Sequence, residues 1–200
     1  EDAKERNIPF RLSGLNNDDV KILTEVFPEK FEFIRKRDYE DYVYLTDDLK
    51  NLSGRKFHAK RNHISKFKKL FPHYSVEEIN ENNIEKVWDW AEKGYDEKDD
   101  EEVVYEKKTL RRAFDNYNSL GFEGLLLSVD DRVIAFTVGS QTTKDTFDVH
   151  FEKASKDFDG AYAIINYFFA NHISEKFPHI TYLNREEDMG IEGLKKSKES

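Results

Sequence analysis

Apolar and polar residues alternate most clearly in the C-terminal half of the chain, where they predict a β-sheet. Two strongly apolar runs, 124–129 and 132–139, flank Asp130-Asp131, which predicts a β-hairpin with a tight turn. Residues 146–152 alternate strictly and predict a third strand, with Asp148, His150 and Glu152 on the face opposite Phe147, Val149 and Phe151.

Two further elements are predicted in the C-terminal half. The segment 160–173 is apolar nearly all round, which predicts a buried helix. The β-branched and aromatic run 180–183 predicts a last short strand.

The N-terminal half is more polar and predicts shorter elements. Asn16 or Asn17 is expected to cap a helix that ends before Pro28, and 31–37 with 42–46 is expected to form a β-hairpin. The remaining predictions are a helical turn at 47–52, a strand at 74–79, and helices at 55–71, 82–93 and 103–120.

The helix predicted at 55–71 carries a lysine on its apolar side. At about 100° per residue, the apolar stripe consists of Phe57, Ile64, Phe67 and Phe71. Lys60 falls near the middle of this stripe, and Lys56 and Arg61 fall on its two margins. A lysine in that position must reach past the core to water, bind an anion or line a cavity, and the sequence leaves these alternatives open.

A run of polar residues follows the last predicted strand. Its members are Asn184, Arg185, Glu186, Glu187 and Asp188. In open α/β sheets, ligand-binding residues gather beyond the carboxyl ends of strands. The run therefore predicts either a binding site or a solvated turn before the helix that starts near Gly193.

Composition narrows the classes of function. The 200 residues are 38% hydrophobic and 36% charged, with net charge −9 and no cysteine. The absence of cysteine excludes disulfides, thiolate catalysis and cysteine-bound zinc. The negative charge argues against DNA and against non-specific nucleic-acid binding. The acidic run 96–102 lacks the glycine and spacing of a calcium loop, so we expect a solvated connection and no metal.

No apolar run approaches the roughly 20 residues that a membrane-spanning helix needs. Contact with any lipid would therefore be peripheral. We expect a cytoplasmic protein, with which the absence of cysteine is compatible.

Five motifs, in order, carry a family resemblance from about Tyr42 to the C-terminus. They are Gly54–Ile64, Val133–Gly139, His150–Ala154, Gly160–Asn166 and Asn184–Leu194. They resemble a bacterial family that is similar to the C-terminal domain of phosphatidylglycerol lysyltransferase. The resemblance implies a GNAT-like α/β (α+β) fold, in which helices flank a mixed, mostly antiparallel sheet. It also implies that residues 1–40 are the tail of an upstream GNAT-like half or a linker, and that 41–200 form the GNAT-like domain.

The resemblance implies transfer of an aminoacyl group from aminoacyl-tRNA to a polar acceptor, such as a lipid headgroup, a peptide or a small molecule. Acetyl-CoA enzymes of this fold bind pyrophosphate at the start of the helix after the third strand of this sheet. Here the corresponding run is Asp157-Phe158-Asp159-Gly160-Ala161-Tyr162, which places two acids where an anion would bind. We therefore expect no CoA cofactor bound in that mode, and the resemblance implies charged tRNA as a possible donor. The alternatives are a non-standard acyl-CoA or carrier donor, and a non-catalytic binding module.

The candidate site residues fall into two groups. His150 and Glu152 are candidate catalytic bases, since transfer requires a deprotonated acceptor. The candidate substrate-binding residues are Lys56, Lys60, Arg61, Asn166, Asn184, Arg185, Glu186, Glu187 and Asp188. We also expect Lys60 to lie within one side-chain length of the 184–188 segment.

Overall fold

The fold centres on a six-stranded mixed sheet. The computed structural model describes residues 2–96 and 101–199. The strands are β1 (Val43–Leu45), β2 (Tyr74–Glu78), β3 (Glu123–Val129), β4 (Arg132–Gln141), β5 (Thr146–Ala154) and β6 (Tyr182–Asn184). Their order is β1-β6-β5-β4-β3-β2, and every neighbouring pair is antiparallel except β5 and β6. The mostly antiparallel sheet predicted from the sequence is confirmed.

Helices lie before, between and after the strands, and the first of them has no counterpart among the predicted elements. They are α1 (Asp2–Glu5), α2 (Asn17–Val26), α3 (Thr46–Asn51), α4 (His58–Leu70), α5 (Ile84–Asp96), α6 (Glu101–Asp115), α7 (Ala161–Lys176) and α8 (Glu192–Glu199). Asn16 caps α2 by accepting hydrogen bonds from the backbone N–H groups of Asp18 and Asp19. Part of the acidic connection expected at 96–102, residues 97–100, lies outside the described residues.

The chain divides into two compact units, residues 1–37 and 38–200. In the first unit, Phe31 contacts the rings of Phe10, Phe27 and Phe33. In the second unit, one core lies between the sheet and α3, α4 and α7, and the other lies between the sheet and α5 and α6. The assignment of residues 1–40 to an upstream domain stays a prediction.

The hairpin predicted from 31–37 and 42–46 is wrong. Residues 31–36 have no regular secondary structure, and Arg37–Tyr39 form a short 3₁₀ turn. The later run forms only β1, whose Val43 lies opposite Asn184 of β6. Phe31 and Phe33 pack against other rings of the first unit, so tertiary packing overrides their strand propensity.

The helix predicted at 103–120 ends earlier than expected, at Asp115.

A β-bulge interrupts β5 at His150. Val138 lies opposite Phe151 and Gly139 lies opposite Val149, so His150 is an extra residue without a partner in the register. The extra residue reverses the alternation. Val149 packs in the α7 core before the bulge, whereas Phe151 packs against the α5–α6 core after it. The prediction that Phe151 shares a face with Phe147 and Val149 is therefore wrong, and so is the shared face of His150 and Glu152.

Across the described residues, none of the helices combines the length and the apolar character that crossing a bilayer requires.

Candidate functional site

A buried ion pair joins the ends of β5 and β6. The Arg185 Nη2 atom donates a hydrogen bond of 2.6 Å to Glu152 Oε1, and each side chain is only 8% exposed. Burial acts to lower the pKa of Arg185, but the neighbouring Glu152 carboxylate holds that pKa above its ordinary value. Arg185 therefore stays charged, and Glu152 serves as its buried partner rather than as a free base.

Asn166 completes the coordination of that carboxylate. It lies on the face of α7 that meets the sheet, and its Nδ2 atom donates to Glu152 Oε2 at 3.2 Å. A buried amide needs such a partner, which explains why Asn166 is the polar member of the buried residues of α7. The bulge at His150 allows Asn166 to reach Glu152, because the extra residue turns the Glu152 side chain towards α7.

Lys60 lies beside this pair, at the wall of a cavity of about 330 Å³. The cavity walls include Lys60, His63, Lys156, Asp159, Tyr162, Asn166 and Arg185. Burial and, to a lesser extent, the positive charge of Arg185 lower the pKa of the Lys60 amine to about 8, against the opposing effect of Glu152. Within the described part of the chain, Lys60 forms no hydrogen bond or ion pair. Lys60 therefore lies beside the 184–188 segment, where its neighbour is Arg185 and not one of the three acids.

Asp159 and Gly160, which precede α7, also line the cavity. Asp159 lies at the start of α7 and accepts a 2.6 Å hydrogen bond from Lys66 Nζ. Gly160 has φ +89°, and a Cβ atom built on it would lie 2.7 Å from the His63 carbonyl oxygen. The glycine is therefore required by the close approach of α4. It does not in itself indicate a phosphate-binding turn.

His150 occupies a second cluster that does not include Glu152. Its Nδ1 atom lies 2.9 Å from Glu186 Oε1, and its Nε2 atom lies 2.8 Å from Ser140 Oγ. The imidazole ring also contacts Phe122, with centroids 5.6 Å apart. Its side chain is 25% exposed and that of Glu186 is 39% exposed, so solvent reaches the cluster.

Glu186 is held in a backbone conformation that non-glycine residues rarely adopt. Its φ is +55°, its N–H donates to Asn184 Oδ1 at 2.9 Å, and its carbonyl oxygen accepts from the Tyr42 N–H at 3.1 Å. Lys198 Nζ donates to the carbonyls of Arg185, Glu186 and Glu187 at 2.5, 3.2 and 2.6 Å. These bonds maintain a strained segment, and such strain is concentrated at functional sites.

Other candidate binding residues have structural partners. Lys56 is exposed and pairs with Asp48 at 2.7 Å. Arg61 donates to the carbonyl oxygens of Leu52 and Gly54, so it ties the start of α4 to the preceding turn. Neither residue lines the cavity.

The remaining acids and amides of the 184–188 segment shape its backbone. Asn184 donates to Asp41 Oδ2 at 2.8 Å. Asp188 is buried and accepts hydrogen bonds from the Tyr42 hydroxyl at 2.7 Å and the Gly190 N–H at 2.9 Å. Glu187 contributes its carbonyl oxygen to Lys198.

Sequence reasoning missed Ser140 and Lys198. Strict alternation along β5 gave no reason to expect a contact between His150 and Ser140 of β4. The bulge that makes this contact possible has no simple sequence signal. Lys198 lies in a charged helix whose other lysines, such as Lys195, have the same local pattern. Only the packing of α8 distinguishes it.

A third polar cluster lies apart from these two. Carboxylate and imidazole atoms of Glu78, Glu123 and His172 lie within 4.8 Å of one another. Lys176 Nζ already lies 2.8 Å from Glu123 Oε2 and 3.5 Å from Glu78 Oε2. The ammonium group supplies the cation that these acids require.

Comparison with known families identifies the chain. The family model described as "Phosphatidylglycerol lysyltransferase, C-terminal" matches residues 1–200. The chain belongs to this family. The membership confirms the resemblance, and with it the acyltransferase-type, GNAT-like fold of the sheet and its flanking helices.

Two solved structures show how the phosphatidylglycerol lysyltransferase C-terminal fold extends to relatives. A conserved protein of unknown function from Bacteroides thetaiotaomicron is 40% identical, with a TM-score of 0.91 over 98% of this chain and 67% of that chain. L-PGS from Bacillus licheniformis is 12% identical, with a TM-score of 0.54 over 89% of this chain and 54% of that chain. The second likeness shows the fold alone. The comparison with curated proteins gave no match.

Proposed function

We propose that the chain is the transferase unit of an aminoacyltransferase that moves an aminoacyl group from aminoacyl-tRNA to a polar acceptor. The observation that carries this proposal is the unpaired Lys60 amine in the cavity beside Arg185. Family membership supports the type of reaction, and the cavity supports a donor that carries negative charge.

Lys60 and Arg185 together suit a phosphate group of the donor. Preorganised cations in a partly desolvated site stabilise such charge more strongly than cations in water. Arg185 is fixed by Glu152, so it contributes position, whereas Lys60 contributes a charge that no acid already neutralises. We assign Glu152 and Asn166 to positioning of Arg185.

His150 is the base that we assign to the acceptor. Glu186 holds Nδ1, so the imidazole can accept a proton at Nε2 as the acceptor attacks the ester carbonyl carbon. The new acyl bond forms, the ester bond to the ribose breaks, and the ribose oxygen takes the proton. No step requires CoA, in agreement with the acids Asp157 and Asp159 before α7.

One observation favours a non-catalytic binding module instead. The Glu152–Arg185 pair satisfies itself and would stabilise the fold without a ligand. That module requires no free cation in the cavity, so the unpaired Lys60 amine favours the transferase.

The test compares donors with matched variants. Charged tRNA, uncharged tRNA and acyl-CoA are titrated into the protein, the Lys60→Met variant and the Lys69→Met control, whose lysine is exposed on the same helix. We expect charged tRNA to bind to the protein and the control, and about 10-fold more weakly to Lys60→Met, which corresponds to one charge-assisted hydrogen bond. Binding of acyl-CoA in preference to charged tRNA would refute the assigned donor. Equal binding by Lys60→Met would refute the assigned cavity.

A further inference from the structure

Ser140, His150 and Glu186 are connected as a nucleophile, a base and an orienting acid. The acid contacts Nδ1 of the imidazole and the serine hydroxyl contacts Nε2, at 2.9 and 2.8 Å. An ionised Glu186 accepts the Nδ1 proton, and this tautomer leaves Nε2 free to accept the proton of Ser140 Oγ. The order of contacts is the one that activates a serine in unrelated serine hydrolases.

The fold places these groups together by two irregular features. The bulge directs His150 away from Glu152 and towards Ser140 on the neighbouring strand. The positive φ of Glu186 lets its carboxylate reach back to the ring, and the bonds from Tyr42 and Lys198 maintain this conformation. A solvated histidine would require neither feature.

The cluster is open to a reactant. Ser140, His150 and Glu186 are all partly exposed, and Phe122 supports one side of the imidazole. Glu152, Lys60 and Arg185 belong to the cavity beside α7, so they do not compete for the serine.

We propose that Ser140 is a nucleophile that takes the acyl group of an activated ester, so that the protein forms an acyl-serine. Ser140 Oγ attacks the carbonyl carbon while its proton passes to His150 Nε2. The bond from that carbon to the leaving oxygen breaks, and the imidazolium returns the proton to the leaving alcohol. An amine, a hydroxyl or water then attacks the acyl-serine by the same sequence, and releases Ser140.

This inference deepens the proposed function by adding a covalent stage, but it does not depend on tRNA as the donor. Any activated ester that reaches Oγ suffices. It predicts a slow esterase activity that water completes, separate from the binding of a donor in the Lys60 cavity.

The first experiment uses p-nitrophenyl acetate as the probe. The protein is incubated with the ester and quenched in acid, and peptide mass spectrometry locates the acetyl group. We expect acetylation at Ser140 in the protein and in the Ser65→Ala control, whose serine is exposed on α4. We expect none at that position in Ser140→Ala, and a rate lower by about 10²-fold or more in Glu186→Gln, since the imidazole loses its orienting charge. Acetylation confined to lysines, Lys60 included, would overturn the proposal.

A second experiment tests the geometry even where acetylation is slow. Because the chain contains no cysteine, Ser140→Cys introduces a single thiol. If His150 faces that position, the thiol reacts with iodoacetamide below the ordinary thiol pKa of about 8.5, whereas the thiol of Ser65→Cys follows the ordinary value. Identical pH profiles would contradict the relay.

The two proposals fail separately. Labelling of Ser140 without binding of charged tRNA would retain the nucleophile and refute the donor. Binding of charged tRNA that depends on Lys60, with no acyl-serine, would retain the donor and refute the nucleophile.

Discussion

Lys60 shows how one residue on the wrong side of a helix indicates a site. Its position within an apolar stripe could be read from spacing alone, and the structure confirms that Phe57, Ile64 and Phe67 are buried around it. The sequence could not decide between reaching water and lining a cavity, because that depends on the position of Arg185, which is distant in the chain.

Replacing Lys60 by methionine is expected to stabilise the fold at neutral pH. The folded pKa of about 8 lies below the unfolded value of 10.5, so the unfolded state binds more protons between these values. The charged amine therefore opposes folding fully below pH 8, and this effect disappears as pH rises to 10.5. After allowance for solvent screening, we expect Lys60→Met to raise the free energy of unfolding at pH 7 by about 1–2 kcal/mol.

Urea denaturation at pH 7 and at pH 10.5 measures this effect, with Lys69→Met as the control. The control should change by no more than about 0.5 kcal/mol at either pH. A Lys60→Met gain that persists unchanged at high pH would show that hydrophobic packing, rather than charge, is responsible.

At the scale of elements, β5 decides which side chains meet. Its start at Thr146 followed from alternation, but one extra residue redirected Glu152 to α7 and left His150 with Ser140. The energetic difference between a regular ladder and a bulge depends on contacts across strands, so a single-chain pattern did not reveal it. The predicted hairpin at 31–46 failed for a related reason, since the partner of β1 is β6, at the far end of the chain.

Gly139 is expected to be essential for the pairing of β4 and β5. A Cβ atom at this position would lie 2.1 Å from the Asp148 carbonyl oxygen and 2.8 Å from Phe147 Cε1, so the strands would have to separate. We expect Gly139→Ala to lower the free energy of unfolding by about 3 kcal/mol or more.

Gly193→Ala provides the matched control, because a Cβ atom there meets nothing within 4 Å in α8. It should raise the free energy of unfolding by about 0.5–1 kcal/mol through helix propensity. Denaturant titration of both variants measures the contrast, and equal stabilities would contradict the close approach of the two strands.

At the scale of the whole molecule, a chain of net charge −9 places Lys60, which has no hydrogen bond or ion pair among the described residues, at the wall of a small cavity. Bulk charge therefore opposes tRNA, and any attraction must come from local contacts at the cavity. The unfavourable net charge could be read from composition. The local cations could be found only from the fold, because the fold brings helix α4 and the end of β6 to one cavity.

The salt dependence of donor binding should therefore be shallow. Each phosphate contact with a single-stranded 3′ end contributes a slope of about −0.7 in a plot of log affinity against log salt. We expect Lys60→Gln and Lys156→Gln each to reduce the slope by about that amount, and Lys69→Gln to leave it unchanged. Titrations at several salt concentrations measure these slopes, and a loss of slope in Lys69→Gln would instead place the tRNA on the outer face of α4.

Arg185 and Glu186 are neighbours in the chain, yet each serves a different cluster: Arg185 faces the Lys60 cavity and Glu186 faces His150. A ligand that displaces Arg185 must also move the residue bonded to it. Thermodynamic linkage then couples the two clusters. If acylation of Ser140 changes the affinity of the cavity for its ligand by some factor, binding of that ligand must change the acylation equilibrium of Ser140 by the same factor.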